Sequence, residues 1–253
     1  MDPRPHRRRL LLLLSGLGLS ACRGESEQAR QQKVLQKSVQ QLLETRECAG
    51  CDLTGAQLEG ADLEGARLAG ATLENAKLAR ARLRNADLSG ASLGGADIQR
   101  ADLRGARVDG ASFGAARFQG ANLEGLDLRK VTELPSANFE GANLRGTNLE
   151  GASFTGTGGS YRRSERAHAY SLSAGGGWLV RADFTGAKLR FTVLARSNLE
   201  GAIFRDADLR DADLTHANLK DVELQGARLS DTIWEDGHTC APGSQGSCRP
   251  RSR

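Results

Sequence analysis

An apolar residue stands at every fifth position from Leu53 through Leu128, again from Phe139 through Phe154, and again from Phe184 through Trp234. The three blocks hold sixteen, four and eleven such centres, with no failure. Two residues before the centre, 24 of the 31 positions are Ala; the exceptions are Cys51, Leu126, Thr147, Thr192, Ser197, Val222 and Thr232, mostly small. A period of five excludes the common structures. On an α-helix it advances 500°, so successive centres rotate by about 140° and smear around the cylinder. On a flat strand an odd period flips the centre to the opposite face each time. Within one repeat, however, the i−2 and i positions share one face of a short extended segment. The remaining residues must turn a corner, and four corners close a square coil. Stacked at the roughly 4.8 Å interstrand spacing, 31 repeats make nearly eight coils and a stack roughly 35–40 Å long. The composition agrees: 31 glycines, 4% aromatics and a single Met suit regular packing of small residues better than an interlocked core of large ones.

Units such as Ala61-Asp62-Leu63-Glu64-Gly65, Ala121-Asn122-Leu123-Glu124-Gly125 and Ala207-Asp208-Leu209-Arg210-Asp211 resemble the A(D/N)LXX unit of the pentapeptide-repeat family. The resemblance covers about residues 51–234. It implies an all-β fold, a right-handed quadrilateral β-helix with Leu/Phe and Ala pointing inward. Cys48-Ala49-Gly50-Cys51-Asp52-Leu53 and Asp236-Gly237-His238-Thr239-Cys240 are similar to flanks seen on family members. For activity the resemblance implies little. Some members mimic DNA and act on gyrase, as acidic cytoplasmic dimers.

The pattern breaks twice. From Leu128 to Phe139 the step is 11, one more than two repeats, so 129–135 must absorb a residue as a bulge or widened corner. Between Phe154 and Phe184 the phase is kept but the motif is lost over about 157–179. That stretch is flanked by glycines and carries Tyr161, Arg162, Arg163, Arg166, His168, Tyr170 and Trp178. Loops of this length inside compact folds are functional or disordered, and Tyr, Trp and Arg are the residues that anchor interfaces. An inert flap and a partner-binding loop both fit; the stretch is the best candidate partner site in the chain.

The amino terminus reads as an address. A basic segment (Arg4, Arg7, Arg8, Arg9) precedes about ten apolar residues and then Leu19-Ser20-Ala21-Cys22. Ten residues are too few to span a bilayer, which takes roughly 20, so a signal peptide over 1–21 is expected. The tetrapeptide resembles the lipobox of bacterial lipoproteins, which implies lipidation of Cys22, a membrane anchor, and a place in the bacterial cell envelope on the periplasmic or outer-membrane side. The rival is a plain secretory signal. Residues 22–47 are expected to hold a linker and an amphipathic helix with Leu35, Val39, Leu42 and Leu43 at helical spacing, which caps the first coil or binds a partner. The repeat body spans 48–234 and a cysteine-containing tail spans 235–253.

Five cysteines leave an odd one. With Cys22 lipidated, two close pairs remain, Cys48/Cys51 and Cys240/Cys248, as suits local disulfides in an exported protein. The pairs lie roughly 35 Å apart along the stack, so a crosslink from end to end is excluded. Cys240–Cys248 should staple the tail. Cys48 and Cys51 are a disulfide or two free thiols; a redox-active pair or half a zinc site is the minor alternative.

The formal charge of +4 falls to about +1 without residues 1–21, and between Cys48 and Trp234 there are 23 Lys+Arg against 24 Asp+Glu. Neither a polyanion reader nor a polyanion mimic is implied, and no nucleic-acid partner is expected. A basic stretch (Arg67, Lys77, Arg80, Arg82, Arg84) and a later acidic one (Asp206 to Asp231) give only a mild polarity. His168, His216 and His238 are far apart in sequence and show no metal-ligand spacing. No phosphate loop, nucleophile elbow or metalloprotease His-Glu pair is present. The sequence therefore predicts a non-enzymatic envelope scaffold with an unknown protein partner, no cofactor and no metal. The alternatives are a gyrase-interacting DNA mimic, against which export and balanced charge both speak, and an enzyme with an unrecognised site beside the insertion.

Overall fold

The computed structural model describes residues 26–131, 134, 136–152, 154 and 176–251; the Cys22 lipidation site and Tyr161, Arg162, Arg163, Arg166, His168 and Tyr170 lie outside them. The chain divides into two compact units, Met1–Val34 and Leu35–Arg253. In the first, Ser26 opens helix α1 (Glu27–Thr45) as its N-cap, its Oγ accepting from the Ala29 N–H at 3.2 Å, with Glu27 in the first turn where the helix dipole favours an anion. The rest of the helix belongs to the second unit. There Leu42 is fully buried, and Leu35 and Val39 pack against the core. This stripe caps the coil below it. Leu43 does not share the stripe: it stands 47% exposed, because one residue turns the helix by about 100°. Arg46, at φ +63°, ends the helix in the left-handed conformation typical of a C′ residue.

From Glu47 onward, parallel bridges pair residues 20 apart: Glu47 with Arg67, Asp52 with Thr72, Gln57 with Lys77, Asp62 with Arg82. Four repeats therefore make one coil with four faces. Each face carries a single bridging residue per coil rather than a continuous strand. The backbone shows why a repeat of five is enough. In the repeat centred on Leu53, the Leu53 and Gly55 N–H groups donate to Thr72 and Glu74 in the next coil, at 2.7 and 2.8 Å. The Ala56 N–H closes the corner on the Leu53 carbonyl at 3.0 Å. On the bridging residue of the next coil, the Thr72 N–H donates back to Cys51 at 2.9 Å. One donor of the five is left, that of Thr54, and the Asp52 carboxylate accepts it at 3.0 Å. The same contact recurs from Glu64 to Asp62, Glu124 to Asn122 and Glu200 to Asn198. Asp or Asn before the centre thus satisfies within the repeat the one corner amide that has no backbone acceptor; in repeats without it that exposed amide is left to solvent.

The inward residues form one continuous core. The centres from Leu53 to Leu103 and the Ala residues two places before them are almost wholly buried, apart from the partly buried Ala61, and the wider Phe113, Phe118, Phe139 and Phe154 follow. Phe118 stacks on Phe139 with centroids 4.6 Å apart, and Phe184 on Phe204 at 4.9 Å. Where Thr replaces Ala at the i−2 place, its hydroxyl finds a carbonyl: Thr147 to Leu144, Thr192 to Leu149, Thr232 to Leu209, all within 2.8 Å. Such pairing removes the cost of burying the hydroxyl.

Both breaks resolve into register changes. At the first, the bridge offset rises to 21, as in Arg117 with Asn138. Leu134 is 3% exposed and serves as a centre, so the extra residue lies between Leu128 and Leu134. At the second, the offset is 40, from Asn138 to Trp178 and from Asn143 to Asp183. The bridged partners are thus twenty residues, one coil's worth, farther apart in sequence than elsewhere, and the coil resumes earlier than the sequence pattern indicated. Leu179 is fully buried and Gly177 occupies the place of the inward Ala, with Phe154 so near that a Cβ at 177 would lie 3.2 Å from its ring. The expected boundary at residue 179 is therefore corrected: Gly177, Trp178 and Leu179 form a repeat that the usual Ala and Asp/Asn do not mark.

After Trp234 the tail turns back. Antiparallel bridges join Ile233 to Thr239, Arg228 to Gln245 and Cys240 to Pro250. The Leu229 N–H, which in a longer stack would meet another coil, donates to Ser244 at 2.9 Å. Leu219, Val222 and Leu224, on faces beside this cap, are only partly buried.

Candidate functional site

Besides the exposed Phe191 and Ile233, two places among the described residues depart from a solvated polar wall. One is the seam of the diverted segment. The bridging column that contains Trp178 reads Gln57, Lys77, Asp97, Arg117, Asn138, Trp178, Asn198, Asn218, and Trp178 is 56% exposed on it. This large aromatic stands more than half exposed between two Asn residues, whereas Leu179 beside it is wholly inward. Of the residues the sequence nominated for partner contact, Trp178 is the one among the described residues, and it sits on the rigid wall rather than on a loop.

The other place is the tail. Cys240 and Cys248 are joined, with Cα atoms 5.1 Å apart, and Cys48 and Cys51 are joined at the opposite end of the stack at 5.2 Å. Asp236 repeats the wall's corner device, its carboxylate accepting from the His238 N–H at 3.1 Å. The same oxygen meets the His238 Nδ1, and the far ring nitrogen, Nε2, stands 3.1 Å from the Cys248 Sγ. The His238 backbone N–H, and then its ring, hold the Asp236 carboxyl below its usual range. Residue spacing alone did not expose this grouping, because the three groups meet only once the hairpin folds; the alternation Asp236, His238, Cys240 was the signal available.

The walls themselves are electrostatically self-contained. Arg82 pairs with Asp62 and Glu64, Arg107 with Asp87, Arg117 with Asp97, Arg190 with Asp211 and Lys220 with Glu200. The basic stretch is thus partly tied to its neighbours. Arg104, Arg129 and Arg210 each reach back to the carboxylate two residues before, and these side-chain hydrogen bonds lower the pKa of Asp102, Asp127 and Asp208 against the opposing effect of burial. For Asp52 the Thr54 hydroxyl has the same effect. A carboxyl whose pKa is depressed by folding binds fewer protons than in the unfolded chain, so its contribution is present above the unfolded value of about 3.9 and lost as pH falls through the folded one. The melting temperature is expected to stay level from pH 7 to about pH 5 and to fall steadily below about pH 4. Thermal melts in a pH series check this, and a midpoint unchanged at pH 2.5 would contradict it.

A profile of pentapeptide repeats matches the chain in eight copies over residues 47–70, 66–105, 96–132, 132–157, 179–215 and 192–231. The chain belongs to the pentapeptide-repeat family. The gap in the match, 158–178, falls on the diverted segment. Among solved structures, the chain is similar to HetL, a pentapeptide repeat protein involved in heterocyst differentiation regulation from the cyanobacterium Nostoc sp. strain PCC 7120. The two are 31% identical, with 76% of this chain and 89% of that one covered and a TM-score of 0.35. It is also similar to QnrB1, a plasmid-mediated fluoroquinolone resistance protein, at 20% identity over 72% and 88% of the two chains, TM-score 0.31. A pentapeptide repeat protein of the Arabidopsis thaliana thylakoid lumen matches at 19% identity over 66% and 86%, TM-score 0.17. No curated protein matches significantly. Family membership agrees with the four-faced stack of parallel-bridged coils.

Proposed function

We propose that this pentapeptide-repeat chain is a non-enzymatic envelope protein, lipid-anchored through Cys22, that presents a rigid wall and the segment around 157–179 to a protein partner. The observation that carries the reading is Trp178: an aromatic 56% exposed on an otherwise polar column, where the offset between bridged residues changes from 40 to 20. Exposed Trp on a preorganised surface suits an interface anchor, since the backbone beneath it needs no ordering on binding. The electrostatics support a binding role over catalysis. All carboxyls with a resolved shift, from Asp52 to Asp236, are lowered by hydrogen bonds, whereas a general acid needs its pKa raised toward neutrality. The alternation of Asp, Arg and Asn along the columns gives no continuous acidic stripe of the kind a DNA mimic requires.

The anchor rests on Leu19-Ser20-Ala21-Cys22 after a short apolar run. The test combines both halves. Wild-type protein carrying a photo-crosslinking residue at position 178 should take up a lipid label, fractionate with membranes and give a discrete adduct; the same residue at outward position 84 should not. Cys22→Ser should lose the label and leave the membrane fraction. An unlabelled wild-type chain would refute the anchor, and equal crosslinking at 84 and 178 would refute the partner site.

A further inference from the structure

The tail places a carboxylate, an imidazole and two sulfurs in series, and nothing in the repeat fold asks for the imidazole. The corner at Asp236 needs only the His238 backbone N–H, as it needs only a backbone N–H at Thr54 or Glu64. The ring is nevertheless turned onto the cysteine pair, with Nε2 3.1 Å from the Cys248 Sγ. The His238 ring nitrogens and the sulfurs of Cys240 and Cys248 provide one ligand atom each, all within 4.8 Å of one another. We propose that, when the Cys240–Cys248 bond is open, His238, Cys240 and Cys248 form a three-ligand site for a thiophilic divalent cation of the zinc class, with Asp236 orienting the imidazole.

The chemistry follows from the donor set. Two thiolates and one imidazole are a soft, tetrahedral combination with a fourth position left for water or another ligand. With metal–sulfur bonds of about 2.3 Å and a metal–nitrogen bond of about 2.0 Å, a tetrahedral ion needs sulfurs about 3.8 Å apart and nitrogen about 3.5 Å from each. Opening the disulfide lets the sulfurs separate to that distance, and the nitrogen, 3.1 Å from the Cys248 sulfur and within 4.8 Å of the other, reaches its position by a small adjustment of the side chains. Asp236 accepts from Nδ1–H, which leaves the Nε2 lone pair toward the sulfurs; a carboxylate behind a ligating histidine is the usual orienting partner. The backbone under the ligands is fixed to the last coil. The Cys240 N–H donates to Thr232, the Asp231 N–H to Cys240, and the His238 carbonyl accepts from Trp234. An activated thiol alone would use only the half-buried Cys248. That the buried Cys240 sulfur also lies within 4.8 Å of the ring nitrogen favours a metal, which would bridge the three groups, over a nucleophile.

Opening the bond consumes two electrons and two protons from a dithiol, which closes its own disulfide. Metal binding then releases the two thiol protons. Disulfide and metal site are therefore alternatives on the same residues, independent of the lipid anchor and of the partner surface.

The test uses the full chain with Cys22→Ser, Cys48→Ala and Cys51→Ala, so that no other thiol competes; Ala at 51 is the residue the repeat itself favours at that place. After reduction with a phosphine, which contributes no thiolate, titration with Co2+ should give a thiolate-to-metal charge-transfer band and tetrahedral visible bands at one equivalent, displaced by Zn2+. The oxidised protein should give neither. His238→Ala should weaken Co2+ binding by at least about tenfold, and Asp236→Asn by about tenfold with the band shape kept. Asp236→Asn is expected to fold, because Asn serves the same corner at Asn122 and Asn198. Uptake by the oxidised chain, no band in the reduced chain, or unchanged affinity in both variants would each overturn the site.

Discussion

Leu88→Asp should destabilise the protein by more than about 4 kcal/mol, whereas Arg84→Ser, four residues away, should change stability by less than about 0.5 kcal/mol. Leu88 is fully buried. Its neighbours along the column follow from the bridges Arg67 to Asp87 and Asp87 to Arg107: the Leu68 N–H donates to Asp87 and the Leu88 N–H to Arg107, so Leu68 and Val108 lie below and above it. A carboxylate there meets apolar layers on two sides and Ala columns beside it. Neither water nor a donor is in reach, since the surrounding amides are spent on coil-to-coil bonds. The side chain must be buried charged, take up a proton at a cost, or force the coil open. In a stack whose stability comes from neighbour-to-neighbour interfaces, opening one coil weakens the two interfaces it shares. Arg84 lies at an outward corner and is exposed. Chemical denaturation of the two variants beside the wild type decides it, and equal losses would reverse the assignment of inward and outward faces.

How far the sequence carried depends on which residues repeat. The five-residue period locates the core because inward positions tolerate little besides Leu, Phe and Ala, and each error would leave a void or a buried polar group. The period alone does not explain Asp or Asn before the centre. That role emerges only with the hydrogen bonds, when the corner amide of Thr54 or Glu124 is seen to lack any backbone acceptor. Leu134 and Leu179 escaped notice for a related reason. Each is a proper inward centre, but in the sequence Thr132 and Gly177 stand where Ala is usual, and Glu133 and Trp178 where Asp or Asn is usual. Spacing places Leu43 on the buried stripe, yet it stands exposed, because one residue beyond Leu42 turns the side chain about 100° off that face. The cluster of Asp236, His238, Cys240 and Cys248 depends on a tail hairpin that no period describes.

Excision of residues 157–176 should leave a cooperatively folding protein, and excision of 157–179 should not. The offset between bridged columns is 40 across the break and 20 on either side of it, as in Asn138 to Trp178 against Trp178 to Asn198. Removing twenty residues therefore restores a normal coil. The junction would read Phe154-Thr155-Gly156-Gly177-Trp178-Leu179, which matches Phe184-Thr185-Gly186-Ala187-Lys188-Leu189 position for position except at the two residues before the last. Thr-Gly is already the corner at Thr185-Gly186, where Gly186 holds φ +67° and a β-carbon would be disfavoured. Gly177 would keep its place against Phe154, and Leu179 its place in the core. The longer excision removes twenty-three residues. It deletes the Leu179 centre and shifts the following chain by three, so that Ala182 and Ala187 fall where Leu or Phe is required and Phe184 and Leu189 turn toward the corners. Recovering register would force an unpaired bulge into one coil; keeping it would empty the core column. A loss of several kcal/mol follows either way. Thermal melts of the two deletions should show one sharp transition within a few degrees of wild type for the shorter cut and a broadened or absent one for the longer. If both melt alike, the diverted segment does not begin and end where the bridges place it.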